Sequence, residues 1–328
     1  MEIKTNRLPI IDTLRGIAAL SVCFFHLITN PSGFIYNQSI ISISRFGHYG
    51  VHIFFIISGI VIPLSMIHMD YTYSKLGRFL LKRVVRIEPP YIAAVILGIL
   101  YFNLRNHIGA TIQVDLSPTL RDILLHLGYL IPFVHGARWI NTVFWSLSVE
   151  FQYYLFLALL FPLVLRYNNW RYLFYSIIFL LPFSHSTSNF FPYWSTYFLI
   201  GISYALFISA KISKAELWCL LFISFVIIYI TQGIGDLVVG AITLGIIHLF
   251  SNFKSVTGAF FGQISYSLYL IHSLIGIPVI NILAHKVSTP IGKFMVLVFG
   301  VSVSIMFAFF FFKLIENPSQ RFSKKIKA

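Results

Sequence analysis

The first apolar run of the chain, Leu8 to Ile28, carries Asp12, Arg15 and His26 among its hydrophobic residues. It is long enough to cross a bilayer. A charged side chain at membrane depth costs roughly 2.5 to 3.5 kcal/mol on insertion scales, so such a residue is expected to have a partner and a task. Eleven residues at about 100° each make three turns plus about 20°, which puts Arg15 and His26 on one helix face, about 16 Å apart along the axis. That face offers a permanent cation at one end and, at the other, an imidazole able to take a proton from an alcohol.

Further polar groups interrupt the later apolar stretches. Glu150, in Phe144-Trp145-Ser146-Leu147-Ser148-Val149-Glu150, lies about 12 Å in from the outer end of its segment. A carboxylate at that depth requires a cationic or hydrogen-bonding partner, which could be Arg15 in a purely structural ion pair or His26 in an active site. Trp145 and the tyrosines that follow are either an interfacial belt or a stacking surface for a sugar ring. Tyr266, Tyr269 and His272 form one helical stripe ending in a buried histidine. His52, about two turns into the second segment, is open to either ligand contact or a structural hydrogen bond. Ser58-Gly59 below it permits close approach of a helix or a ligand.

The stretch Ser74 to Tyr91 is strongly basic. Arg83 and Arg86 share a helix face, as do Arg78 and Lys82. Such a segment serves as an orientation signal, a binder of anionic headgroups, or a clamp for a phosphorylated ligand. Pro89 and Pro90 are expected to end its helix. Lys313-Leu-Ile-Glu316-Asn-Pro318 reads as a helix stop with a charge anchoring it at the surface.

The elements that must hold these groups follow from composition. Of 328 residues 58% are hydrophobic, 10% are charged and 34 are Phe, and the mean hydropathy is +0.83. That is the composition of an all-α, polytopic integral membrane bundle. Apolar runs place about ten transmembrane helices at 8–28, 46–68, 87–104, 142–164, 171–184, 191–209, 216–231, 234–250, 264–284 and 293–315. The net charge of +14 does not signal nucleic acid, because the basic residues gather in alternate loops. With both termini cytoplasmic, seventeen Lys and Arg fall inside, from Lys4 and Arg7 to Lys327, against six outside. Arg15 interrupts what would be the core of a cleaved signal peptide. The one long outer loop, 105–141, contains an amphipathic stretch, Thr119 to Leu130. Cys23 and Cys219 are read as core residues, and no metal site is expected. The whole chain reads as one membrane domain.

Taken in order, these residues resemble membrane acyltransferase family 3, the group that O-acylates surface sugars. The motifs are Leu14-Arg15 with His26 eleven residues on, and Tyr49-Gly50-Val51 through Phe54-Phe55 to Ser58-Gly59. They continue with Arg83-x-x-Arg86 before Pro-Pro-Tyr91, Trp145-Ser-Leu-Ser148-Val-Glu150, Ile264 to His272, and Ile315-Glu316-Asn317-Pro318. The resemblance implies acyl-CoA, usually acetyl-CoA, as a cytoplasmic co-substrate, with no permanently bound cofactor. It implies a glycan acceptor such as O-antigen on the outer side, in a bacterial inner membrane, with membrane lipids around and no nucleic acid. It assigns transfer to Arg15 and His26, donor binding to Arg83, Arg86 and Arg15, and an active-site role to Glu150. Trp145, Ser148, Tyr266, Tyr269, His272 and His52 would line the acceptor pocket. The family commonly has an acidic residue at His52 and an aromatic one at Glu88, and some members carry an extra esterase-like domain that is not expected here.

Oxygen acylation needs a base, a positive environment for the oxyanion and exclusion of water. His26 would be the base, oriented by Glu150, or would itself be transiently acylated. Arg15 would face the CoA. A rival reading makes Arg15, His26, Glu150 and His272 the proton relay of a transporter or flippase. The inverted repeats and paired broken helices expected of that class are not found in the sequence.

Overall fold

A computed structural model describes residues 8–31, 34–35, 37–107, 118–184 and 186–326. Lys4, Arg7 and Lys327 of the charge pattern lie outside these, as do residues 108–117 of the outer loop. The described chain is all helix and turn. Its helices are α1 (Ile10–Thr29), α2 (Gln38–Arg45), α3 (Gly50–His68), α4 (Leu76–His107), α5 (Leu120–Leu127), α6 (Trp145–Arg166) and α7 (Asn168–Leu180). They continue with α8 (Phe191–Ile208), α9 (Lys214–Thr231), α10 (Ile234–Leu249), α11 (Val256–Ala284), α12 (Pro290–Phe311) and α13 (Asn317–Lys325). Among the described residues eight helical stretches are long and apolar enough to cross a membrane, so the protein is a polytopic helical membrane bundle. Where the sequence reading expects its fifth and eighth spans the helices are short: α7 has 13 residues and α10 has 16, roughly 20 and 24 Å at 1.5 Å per residue, and neither reaches spanning length among the described residues.

Three boundaries differ from the sequence reading, each for a physical reason. The basic segment and the third span form one 32-residue helix that runs through Pro89 and Pro90. The prolines remove the donors to the carbonyls of Val85 and Arg86 but do not break the rod. The last span likewise does not stop at Pro318. A π turn over Phe312–Glu316 joins α12 to α13, and Pro318 occupies the first turn of α13, where a missing N–H costs little. The second span starts early, because α2 and a 3-10 turn over Phe46–Tyr49 lead directly into α3. His52 therefore sits in the first turn of α3 rather than two turns in.

The chain divides into two compact units. The first comprises residues through Ser21, His48–Gly77 and Gln152–Ser265. The second comprises Val22–Gly47, Arg78–Phe151 and residues from Tyr266 on. In the first unit α3 and α8 pack with backbones nearly touching. A Cβ on Gly59 would run into the Phe198 carbonyl, and one on Gly201 into that of Ile56. Ser58-Gly59 is thus a helix-packing spot. The thiols part company: Cys23 is buried as expected, but Cys219 is exposed on α9.

In the second unit the amphipathic stretch folds as α5 with its polarity reversed. Leu120 is 72% exposed and Leu124 57%, whereas Asp122 is 4% and His126 0% exposed. Thr119 and Asp122 form a capping box. The Asp122 carboxylate also accepts from the Arg138 N–H at 3.1 Å. His126 donates from Nδ1 to the Asp122 carbonyl at 2.7 Å and accepts the Ile140 N–H at Nε2, 3.1 Å. That pairing requires the neutral ring, and burial holds the His126 pKa below its ordinary 6.5. The folded chain then binds fewer protons than the unfolded one just below pH 6.5. The stabilisation is whole above that value and is lost as pH falls through the window beneath it. Hydrogen exchange corrected for intrinsic rate should show the Ile140 amide losing protection on acidification below about pH 6, and His126→Gln should remove that pH dependence.

Candidate active site

Nine of the eleven expected site residues fall in the second unit: His26, Arg83, Arg86, Trp145, Ser148, Glu150, Tyr266, Tyr269 and His272. Arg15 and His52 belong to the first. Within the second unit the last turn of α1 meets the middle of α11, and the His26 and His272 rings lie 5.3 Å apart, centre to centre, at 36°.

The two imidazoles are held differently. His272 is fully buried and its Nδ1 lies 2.9 Å from the Leu268 carbonyl. A carbonyl only accepts, so the proton of the neutral ring is on Nδ1 and the Nε2 lone pair is bare. That Nε2 is buried without a hydrogen-bond partner, a costly arrangement unless something is meant to meet it. His26 is half-buried, and its Nδ1 lies 3.1 Å from the Asn30 amide nitrogen, one turn on. With the Asn30 amide donating, neutral His26 carries its proton on Nε2. With the amide turned over, its oxygen accepts from Nδ1–H and Nε2 becomes the base. Asn30 is thus a partner of His26 that the sequence reading did not name. Asn30 was legible only as an i, i+4 neighbour.

Glu150 is half-buried in α6. The Tyr269 hydroxyl lies 2.6 Å from Ser146 Oγ and donates toward the Val143 carbonyl at 3.2 Å. Asn141 completes this seam by donating to the Leu270 carbonyl at 3.0 Å and accepting from Ser273 Oγ at 2.8 Å. The start of α6 is thereby pinned to the turn of α11 that carries His272. Buried Ser148 donates to the Tyr129 carbonyl at 3.1 Å, and Trp145 opens α6 half-buried.

Toward the basic end, Tyr266 donates to the Ile87 carbonyl of α4 at 3.1 Å. Arg83 is buried, with its guanidinium 5.5 Å from the Phe79 ring centre, while Arg86 is half-buried. Glu316 is not the surface anchor the sequence suggested. It is 2% exposed, and its carboxylate accepts from the Ser267 N–H at 3.1 Å, from Ser267 Oγ and from the Gln320 amide at 2.8 Å.

In the first unit His52 is buried, and its Nε2 pairs with Asp236 Oδ1 at 2.8 Å. Trp194 and Tyr197 meet its ring edge-on at 5.0 and 4.9 Å. Asp236, 184 residues away, could not be assigned to His52 by spacing. A cavity of about 930 Å³ opens in the same unit at the C-terminal ends of α3, α6 and α8. None of the expected site residues lines it. No group of three or more His, Cys, Asp or Glu suited to a metal occurs among the described residues.

The described residues form a helical membrane bundle in which the rings of His26 and His272 adjoin, with a tyrosine and serine seam beside them. The family model described as acyltransferase domain matches residues 8–313, and the chain belongs to that family, acyltransferase 3. It is 31% identical over 171 residues to the acyltransferase MdmB of Streptomyces mycarofaciens, covering 50% of this chain and 42% of that protein. It is 32% identical over 171 residues to the putative acetyltransferase ORF330 of Acidianus two-tailed virus, covering 51% and 44%. The matched stretch thus spans less than half the length of either relative. No solved structure matches.

Proposed function

We propose that the protein is a membrane O-acyltransferase that moves an acyl group, acetyl above all, from acyl-CoA on the cytoplasmic side to a sugar hydroxyl of an envelope polysaccharide such as O-antigen. The observation that carries this reading is the His26 and His272 pair. An acceptor hydroxyl needs a lone pair to take its proton, and the bare Nε2 of His272 beside the His26 ring is one. The hydroxyl oxygen attacks the thioester carbon, the C–S bond breaks, and the proton taken by the imidazole pair leaves with the CoA thiol. His272 thus joins His26 as a candidate base, while the apolar packing around them excludes competing water. Arg83 and Arg86 would hold the CoA phosphates, and the setting would be a bacterial inner membrane. The relatives' names, an acyltransferase and a putative acetyltransferase, agree with this reading.

The test is mass spectrometry of surface polysaccharide from cells with and without the gene. A gain of one acyl unit per repeat is expected, and an unchanged mass with an altered amount of polymer would point to export instead. In purified protein, Arg83→Ala with Arg86→Ala should raise the apparent KM for acyl-CoA about tenfold or more with a smaller change in kcat. An unchanged donor KM would remove the pair from donor binding.

A further inference from the structure

The 930 Å³ cavity of the first unit lies where α3, α6 and α8 end, on the face that the charge pattern assigns to the cytoplasm. Its walls are built in three unusual ways. First, α3 and α8 both finish in a Schellman turn. The Tyr71 N–H reaches back to the Met66 carbonyl at 3.0 Å and the Lys211 N–H to that of Leu206 at 2.9 Å. The left-handed residue in each turn is not glycine: Asp70 has φ 44° and Ala210 φ 53°. Two of the three non-glycine residues with positive φ among the described residues therefore line one cavity. Such conformations persist only where the surroundings enforce them. Second, Pro162 inside α6 cannot donate to the Ala158 carbonyl, and the buried Tyr71 hydroxyl takes that place at 3.0 Å. The Tyr73 hydroxyl adds a bond to the Leu159 carbonyl at 2.8 Å. The loop after α3 is thus fastened across the wall.

Third, the lining divides by chemistry. Leu64, Leu163 and Ile208 give it an apolar side, and Arg166 and Lys211 stand at its polar side with Asp70. The cation next to them, Arg171, is engaged: it donates to the Lys211 carbonyl and faces Glu216 at 3.8 Å. Arg166 and Lys211 make no ion pair with a carboxylate among the described residues. The cavity is of a size that holds small amphiphiles, typically about 300–1,000 Å³. Its position at the end of three membrane helices puts it at headgroup depth.

We propose that this cavity binds an anionic phospholipid of the inner leaflet, its phosphate held by Arg166 and Lys211 and the head of one acyl chain laid on Leu64, Leu163 and Ile208. The site is separate from the residues assigned to acyl transfer and does not depend on that reading.

The full chain, purified in a neutral detergent, would be titrated with phosphatidylglycerol, with phosphatidylcholine, and separately with inorganic phosphate and acetyl-CoA. Thermal unfolding and native mass spectrometry would be followed in each case. Phosphatidylglycerol should raise the Tm by several degrees and remain bound as one adduct, and the other three probes should not. Arg166→Gln with Lys211→Gln, both exposed and so compatible with folding, should abolish the shift while leaving the lipid-free Tm and any acyl transfer in place. Leu163→Glu, which keeps both cations but sets a carboxylate on the apolar wall, should abolish the adduct as well. Equal stabilisation by phosphatidylcholine, a shift reproduced by phosphate or acetyl-CoA, or an adduct surviving in either variant would overturn the assignment.

Discussion

His26→Ala should abolish acyl transfer, a fall of about 10²- to 10⁴-fold for removal of one proton-transferring group, with the variant still inserted and its Tm close to wild type. The ring is half-buried at the last turn of α1, with the Phe25 and His272 rings beside it, so its loss opens limited space. His272→Gln tests the other half of the pair. Glutamine can still place a donor against the Leu268 carbonyl but supplies no basic lone pair. If the two rings work as one proton relay, the double variant should be no worse than the more damaged single variant. Activity assays on protein in detergent with acyl-CoA and an isolated polysaccharide acceptor would decide it. Appreciable activity in His26→Ala would remove that residue from proton transfer, and full additivity would separate the two roles. Trapping labelled acyl-protein in the absence of acceptor distinguishes direct transfer from an acyl-histidine.

Glu316→Ala carries the largest expected loss of stability, about 3 kcal/mol. The change strips the partner from the Ser267 N–H and hydroxyl and from the Gln320 amide, and each buried donor left unsatisfied costs about 1–3 kcal/mol. Ser267 lies on α11 between Tyr266 and Tyr269, so the damage would reach the turn that carries His272. Thermal unfolding in detergent would report it. Glu316→Gln, which retains an acceptor oxygen, should recover part of the loss. A Tm unchanged in the alanine variant would mean the carboxylate is dispensable for packing.

The membrane bundle was legible because apolar runs of spanning length need no tertiary information: eight of the helices among the described residues are long and apolar enough to cross a membrane. What sequence could not supply was how helices respond to proline. Pro89, Pro90 and Pro318 read as stops, yet the rods pass through them, since a neighbouring element or a tolerant first-turn position offsets the missing donors. For the site, residue types were readable and partnerships were not. Arg15, His26, Glu150 and His272 stood out as polar groups in apolar runs. That His26 lies beside His272 and His52 rests on Asp236 depends on contacts across 246 and 184 residues, and no local spacing encodes these. Glu316 shows the same limit. Its position at the end of an apolar run suggested the surface, while the π turn over Phe312–Glu316 rolls it inward to the backbone of α11.

The prolines of α4 have a mechanical meaning. The two missing rungs, at the Val85 and Arg86 carbonyls, are adjacent, so the resistance of this 32-residue rod to bending is weakest at a single level. Arg83 and Arg86 ride on one arm of that lever and Tyr91 to Leu104 on the other. A bend of α4 at this level would swing the guanidinium pair as one unit, and the bond from Tyr266 to the Ile87 carbonyl ties that level to the helix that bears His272.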